Sequence, residues 1–186
     1  LNASKLKYKV LSFGGWGLGG PPMKWNKIVV DLFIKNVEGV NEYCKSNGYN
    51  FVSFDIEGID TSINTSDDIN NLCKTYKDIG LGVQLTIPGF GIHPENGGNG
   101  WFNKLDPNNV DKICFMFYNR DSDTEFYKYT ADVVLNRSGN NLNLILPRVQ
   151  TYPPEKLILG VSCATGNCGG LVTDPSIKNL FKGGVS

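Results

Sequence analysis

The chain has 186 residues, 40% of them hydrophobic, which is enough to bury the core of one globular domain. Its 18 basic and 18 acidic side chains cancel, with no long run of either sign, so the basic footprint expected of a nucleic-acid partner is missing. No stretch of about 18 apolar residues occurs, so no membrane span is expected.

A strand near Tyr8 to Phe13 opens the readable pattern and runs into a loop holding Gly14, Gly15, Gly17, Gly19 and Gly20. Such a loop lets main chain approach a ligand closely. It lacks the Lys-Ser/Thr that a phosphate cradle needs. A helix follows from about Trp25 to Ser46, with Ile28, Val29, Leu32, Phe33, Val37 and Val40 recurring at three- and four-residue spacing. Gly48 ends it. The next run, Asn50 to Ile56, alternates: Val52, Phe54 and Ile56 fall on one side, Ser53, Asp55 and Glu57 on the other.

Thr65-Ser66-Asp67-Asp68 caps a second helix running to about Ile79, and Gly80 closes it. A strand from Gly82 to Ile87 leads into the glycine-rich loop from Gly89 to Gly100. Further on come a strand from Lys112 to Tyr118, a helix from about Asp123 to Leu135, a strand from Lys156 to Val161 and a short one at Gly183-Gly184-Val185. Strands alternating with helices point to a parallel sheet with crossover helices in one domain spanning 1–186. No internal repeat or linker divides the chain.

Asp55 and Glu57 carry the chemistry. Two acids two residues apart on one strand share a side, and their mutual repulsion favours a retained proton on one of them. An acid beside a carboxylate is what cleavage of a glycosidic bond requires. The bland alternative is an edge strand with solvated acids. His93 is the single histidine and no Cys-x-x-Cys spacing occurs, so neither a Ser-His-Asp triad nor a metal site is expected, and no cofactor is implied.

The run from Gly48 to Glu57 resembles the Asp-x-x-Asp-x-Asp-x-Glu signature of family 18 glycoside hydrolases, the chitinase group. Asp55 and Glu57 fall on its last two acidic positions, while Asn50 and Ser53 stand where the signature has aspartates. Other segments resemble the family in order along nearly the whole chain. Leu11 to Trp16 is similar to the Ser-x-Gly-Gly strand, Leu85 to Gly89 to the strand after the catalytic one, and Phe115 to Asn119 to the Met-x-Tyr-Asp/Asn strand. Lys156 to Val161 and Gly183 to Val185 resemble the last two.

The resemblance implies a (β/α)8 TIM barrel, of which this chain would supply the third to eighth strands. We therefore expect a piece of a larger chain, opening at Leu1 inside a longer precursor, with the first two strands supplied by the parent chain or by another chain. Six of eight strands would leave two open edges. The implied chemistry is substrate-assisted, retaining hydrolysis of β-1,4-linked N-acetylglucosamine in chitin or related glycans. Glu57 would be the proton donor, Asp55 would orient the acetamido group and stabilise positive charge, and Tyr118 would hydrogen-bond the attacking carbonyl oxygen. Met116, Asn119, Ser53, Gly14 and Gly15 would line the substrate site. Trp16 and Trp101, and by position Trp25, would offer faces for sugar rings, although Trp25 also suits a helix anchor. Because Ser53 carries no charge, Asp55 is expected to ionise more readily than it would beside an aspartate, leaving the proton on Glu57 alone. The rival to the enzyme is a chitinase-like module that binds glycans, or serves a structural role, without turnover.

Three glycosylation sequons, at Asn2, Asn64 and Asn136, favour a secreted glycoprotein. Cys163 and Cys168 flank a flexible loop that a disulfide could close. Cys44 and Cys73 could meet if their helices pack side by side, and Cys114, in an apolar strand, reads as a buried thiol.

Overall fold

The computed structural model describes residues 7–15, 23–59, 65–88, 105–117, 152–161 and 184–185. The chain forms two compact units: Leu1–Thr86 with Asn108–Asp111, and Ile87–Pro107 with Lys112–Ser186. Both are built on parallel strands. The architecture is mixed α/β and compatible with part of an α/β barrel.

In the first unit the parallel strands are β1 (Val10–Gly14), β3 (Phe51–Asp55) and β5 (Gly82–Pro88), the last belonging to this unit through Thr86. Their register aligns Ser12 with Ser53 and Gln84, and Gly14 with Asp55 and Thr86. Alternation therefore sorts the sheet into two faces. Leu11, Phe13, Val52, Phe54, Val83 and Leu85 point to the helices; Ser12, Ser53, Gln84, Asp55 and Thr86 share the other side. A two-residue strand β2 (Lys24–Trp25) pairs in parallel with β4 (Gly58–Ile59), a contact that no hydrophobic period announces.

The helix expected over residues 25–46 is two helices, α1 (Lys27–Lys35) and α2 (Val37–Asn47). Asn26 caps the first, its side-chain oxygen accepting from the Val29 amide at 2.9 Å. Asn36 separates the two: its side-chain amide donates to the Leu32 carbonyl at 2.7 Å, alongside its own backbone amide at 3.0 Å. Gly48 takes the left-handed conformation that ends α2 (φ +71°). Helix α3 (Thr65–Asp78) starts with Asp67 and Asp68 in its first turn, where carboxylates favour the positive end of the helix dipole.

Helices and sheet meet over an aromatic cluster. Phe54 lies edge-on to Trp25, Phe33 and Tyr76 at centroid distances of 5.7, 5.7 and 5.2 Å. Val30, Ile69, Leu72 and Tyr76 are fully buried here. Ile28 and Leu32, which the spacing places on the inward face, are instead exposed, at 71% and 53%. The helix turns Val30 inward in their place. Beside α2 an apolar groove of about 430 Å³ opens, lined by Leu11, Phe13, Asn36, Gly39, Val40 and Tyr43.

Asp111 ties the unit together at the start of β5. Its carboxylate takes an ion pair from Lys77 at 2.6 Å and a hydrogen bond from the Val83 amide at 2.9 Å, while its own amide donates to the Val83 carbonyl at 2.8 Å.

In the second unit β6 (Lys112–Phe117), β7 (Leu157–Val161) and β8 (Gly184–Val185) run parallel, with Ile113 opposite Leu157 and Met116 opposite Gly160. The buried Tyr152 hydroxyl donates to the Leu105 carbonyl at 3.4 Å, and Lys156 donates to the Pro107 carbonyl at 2.6 Å. The expected helix over 123–135 lies outside the described residues.

Cys44 and Cys73 do not form the disulfide that adjoining helices left open; both are buried thiols, and Cys114 is likewise buried and unbridged. Burial raises the pKa of Cys44 and Cys73, which makes both weak nucleophiles. Cys163 and Cys168 fall outside the described residues. No helix among the described residues is long and apolar enough to cross a membrane.

Candidate functional site

The carboxyl end of β3 holds Asp55, and Glu57 follows just past the strand. Strand β1 ends beside it at Gly14, and the next residue crosses directly over the acids. Gly15 adopts φ +82°, and a Cβ built on it would lie 2.6 Å from Asp55 Oδ2 and 3.5 Å from Glu57 Oε1. Both carboxylates therefore converge on one point, and only glycine leaves room there. Gly14 is held as closely: a Cβ on it would sit 2.3 Å from the Asp55 carbonyl oxygen.

That carbonyl accepts two hydrogen bonds, from the Trp25 indole Nε1 at 2.8 Å and from the Gly15 amide at 3.2 Å. Trp25 is completely buried. It stacks on Phe33 and cannot present a face to a sugar, which corrects the platform role its position suggested. The reason lies in the chain path: β2 brings Trp25 back under the β3 end before α1 begins.

Behind Asp55 the polar side of the sheet carries a neutral ladder. The Ser53 and Thr86 hydroxyls are 3.1 Å apart, and the Gln84 side-chain amide donates to Ser53 at 3.4 Å and to Thr86 at 3.3 Å. Ser53 is 1% exposed, so its hydroxyl faces these partners inside the protein. Gln84 belongs to no motif in the sequence, and Thr86, within the Leu85 to Gly89 segment, carries no role in that resemblance; both join the site through the fold. The alternation Gly82-Val83-Gln84-Leu85-Thr86 already places both on the side of Asp55 once the register is known.

The electrostatics bear on where the pair keeps its proton: Asp55 holds one to higher pH than an ordinary carboxylate, so the proton is not confined to Glu57, contrary to expectation. Burial, with the nearby Glu57 carboxylate as the second cause, pushes its pKa up to about 6. Asp55 Oδ1 is also buried and has no hydrogen-bond partner among the described residues, an acceptor held ready beside a second carboxylate. A carboxyl group titrating near pH 6 can give a hydrogen bond when protonated and face a developing positive charge when ionised.

The structure thus brings Asp55, Glu57, Gly14 and Gly15 together, with Ser53 in the layer beneath. Met116 lies on β6 in the second unit, whereas Tyr118, Asn119, Trp16 and Trp101 lie outside the described residues. Among the described residues no group of three His, Cys, Asp or Glu side chains could hold a metal ion.

No protein-family model matches the chain, and no curated protein matches it. Among solved structures, a GH18 chitinase from Pseudoalteromonas aurantia is similar over 95% of this chain and 67% of its own, with a TM-score of 0.57 at 15% identity. The likeness is one of fold.

Proposed function

We propose that this protein is a chitinase-like glycoside hydrolase acting on β-1,4-linked N-acetylglucosamine, in chitin or a related glycan. The observation that carries the reading is the convergence of Asp55 and Glu57 beneath Gly15, with the Asp55 pKa raised and one of its oxygens unpartnered among the described residues. The fold likeness to a chitinase supports it. In this reading the scaffold is a (β/α)8 barrel whose first two strands come from the parent chain or another chain.

Glu57 protonates the glycosidic oxygen as the bond to the anomeric carbon breaks. The substrate's own acetamido carbonyl oxygen bonds to that carbon from the opposite face, giving a cyclic oxazolinium ion, and water then reopens it with retention. Asp55 lies beside Glu57, where its Oδ1 would orient the acetamido N–H and its ionised form would offset the ring's positive charge. Tyr118, Asn119 and Met116 would hold the acetamido group, and Trp16 and Trp101 would stack on sugar rings. The sequons fit a secreted glycoprotein, and a Cys163–Cys168 bridge belongs to the same proposal.

One observation favours a second reading, a glycan-binding module without turnover. The neutral Ser53–Thr86–Gln84 ladder stands where a third acid would strengthen the tuning of Asp55. The test compares the protein with Glu57→Gln on a fluorogenic N-acetylglucosamine oligomer. Turnover should fall by about two to four orders of magnitude in the variant while binding survives. Ser53→Asp should raise turnover. Binding without turnover in both the parent and Ser53→Asp would establish the binding module instead, and no binding at all would refute both readings.

A further inference from the structure

Trp25 has a second relation to the acid pair, distinct from any contact with a ligand. Its side chain reaches the Asp55 carbonyl, while its main chain, in β2, lies in register with Ile59 of β4. Lys24 pairs with Gly58 in the same way. One residue therefore grips the chain on both sides of Glu57, at position 55 through a hydrogen bond and at position 59 through a strand pairing. The ring is locked for this purpose by stacking on Phe33 at 5.5 Å, with planes 23° apart, and by an edge contact with Phe54 at 5.7 Å. A phenylalanine could fill the same hydrophobic space. It could not supply the indole N–H, the shorter of the two hydrogen bonds that the Asp55 carbonyl accepts.

We propose that Trp25 is a positioning residue for the Asp55–Glu57 pair, bracketing residues 55–59 so that both carboxylates stay gathered beneath Gly15. The inference rests on reading that pair as the site, but its test does not depend on turnover. Among the described residues around Asp55, Glu57 is the charged neighbour, whereas Ser53, Gln84 and Thr86 on the sheet side and Gly15 and Trp25 at its main-chain carbonyl are neutral. Burial is the leading cause of Asp55's raised pKa, so loosening the bracket admits water and should move its titration.

The experiment is a carboxyl-carbon NMR titration of the protein and of Trp25→Phe, which keeps the ring packing and strand pairing but removes the donor. The Asp55 midpoint should fall from about 6 toward the ordinary carboxylate range by roughly one pH unit, a tenfold loss of proton affinity. Tyr76→Phe is the control: it removes a hydrogen bond from the same aromatic cluster, Tyr76 hydroxyl to Phe33 carbonyl at 3.0 Å, and should leave the midpoint in place. An unchanged midpoint in Trp25→Phe, or an equal change in Tyr76→Phe, overturns the proposal. If Trp25→Phe fails to fold, the indole N–H resonance of the unaltered protein decides. It should titrate with the Asp55 midpoint and stay flat in Asp55→Asn; an indole that ignores the Asp55 titration overturns the bracket. Triacetylchitotriose separates the two ideas. No binding of that probe, together with a lowered midpoint in Trp25→Phe, would sink the proposed function and keep the bracket.

Discussion

Replacing Asp55 by asparagine should make the protein more stable, and only above the pH at which Asp55 ionises. Its folded pKa of about 6 lies above the ordinary aspartate value of 3.8, so the folded state binds a proton more tightly than the unfolded chain does. Between those two values the unfolded state sheds its proton first, and stability falls as pH rises. Above about pH 7 the full cost of holding the buried anion is present; below about pH 4 it is gone. Raising a carboxyl pKa from 3.8 to about 6 corresponds to about 3 kcal/mol, since one pH unit is worth about 1.36 kcal/mol. Asp55 is only half-buried, and solvent screening brings the expected figure to about 1–2 kcal/mol. Asparagine keeps the shape without the charge. Urea unfolding followed by tryptophan fluorescence, repeated from about pH 4 to about pH 8, should show no gain at the acid end. At the alkaline end the gain should be about 1–2 kcal/mol, or roughly 3–6 °C in melting temperature. A variant no more stable than the parent at that end, or a gain equal at every pH, would refute the assignment of burial as the cause.

Gly15→Ala should cost about 1–3 kcal/mol in the same assay, because its methyl would start 2.6 Å from Asp55 Oδ2 at φ +82°. Asp111→Ala should cost about 2–3 kcal/mol by leaving the buried Val83 amide without its acceptor. Asp111→Asn, which can still accept from Val83 but loses the charge opposite Lys77, should cost about 1 kcal/mol or less. Equal losses in the two Asp111 variants would contradict that division.

The strands are legible in the sequence where alternation meets a clear stop. β3, β5 and β6 lie within a residue of the expected spans, and Gly48 and Gly80 follow α2 and α3 with the positive φ that their identity suggests. The convergence of Asp55 with Glu57 is legible for the same reason, since period two puts both acids on one side. What escapes a reading of the sequence is set by tertiary contacts. Asn36 divides a helix whose apolar spacing runs straight through it, and nothing in that spacing marks the break. Two-residue strands such as β2 and β4 are too short to show a period, so the route that buries Trp25 stays invisible. The titration of Asp55 depends on how much water reaches it, which the identities of its neighbours along the strand do not reveal.

The Asp55 carbonyl gathers donors from Gly15 and Trp25, 40 and 30 positions earlier in the chain, and the β1–β3 pairing spans a similar separation. Closing loops of this length costs chain entropy, so these contacts are expected to follow the nucleation of local helices such as α3. The acids are therefore solvated through most of the refolding reaction and lose their water near its end. A protonated Asp55 loses less hydration than an ionised one, which makes the final closure faster in mild acid. Refolding by stopped flow should therefore run faster at about pH 5 than at about pH 8, and equal rates would refute that expectation.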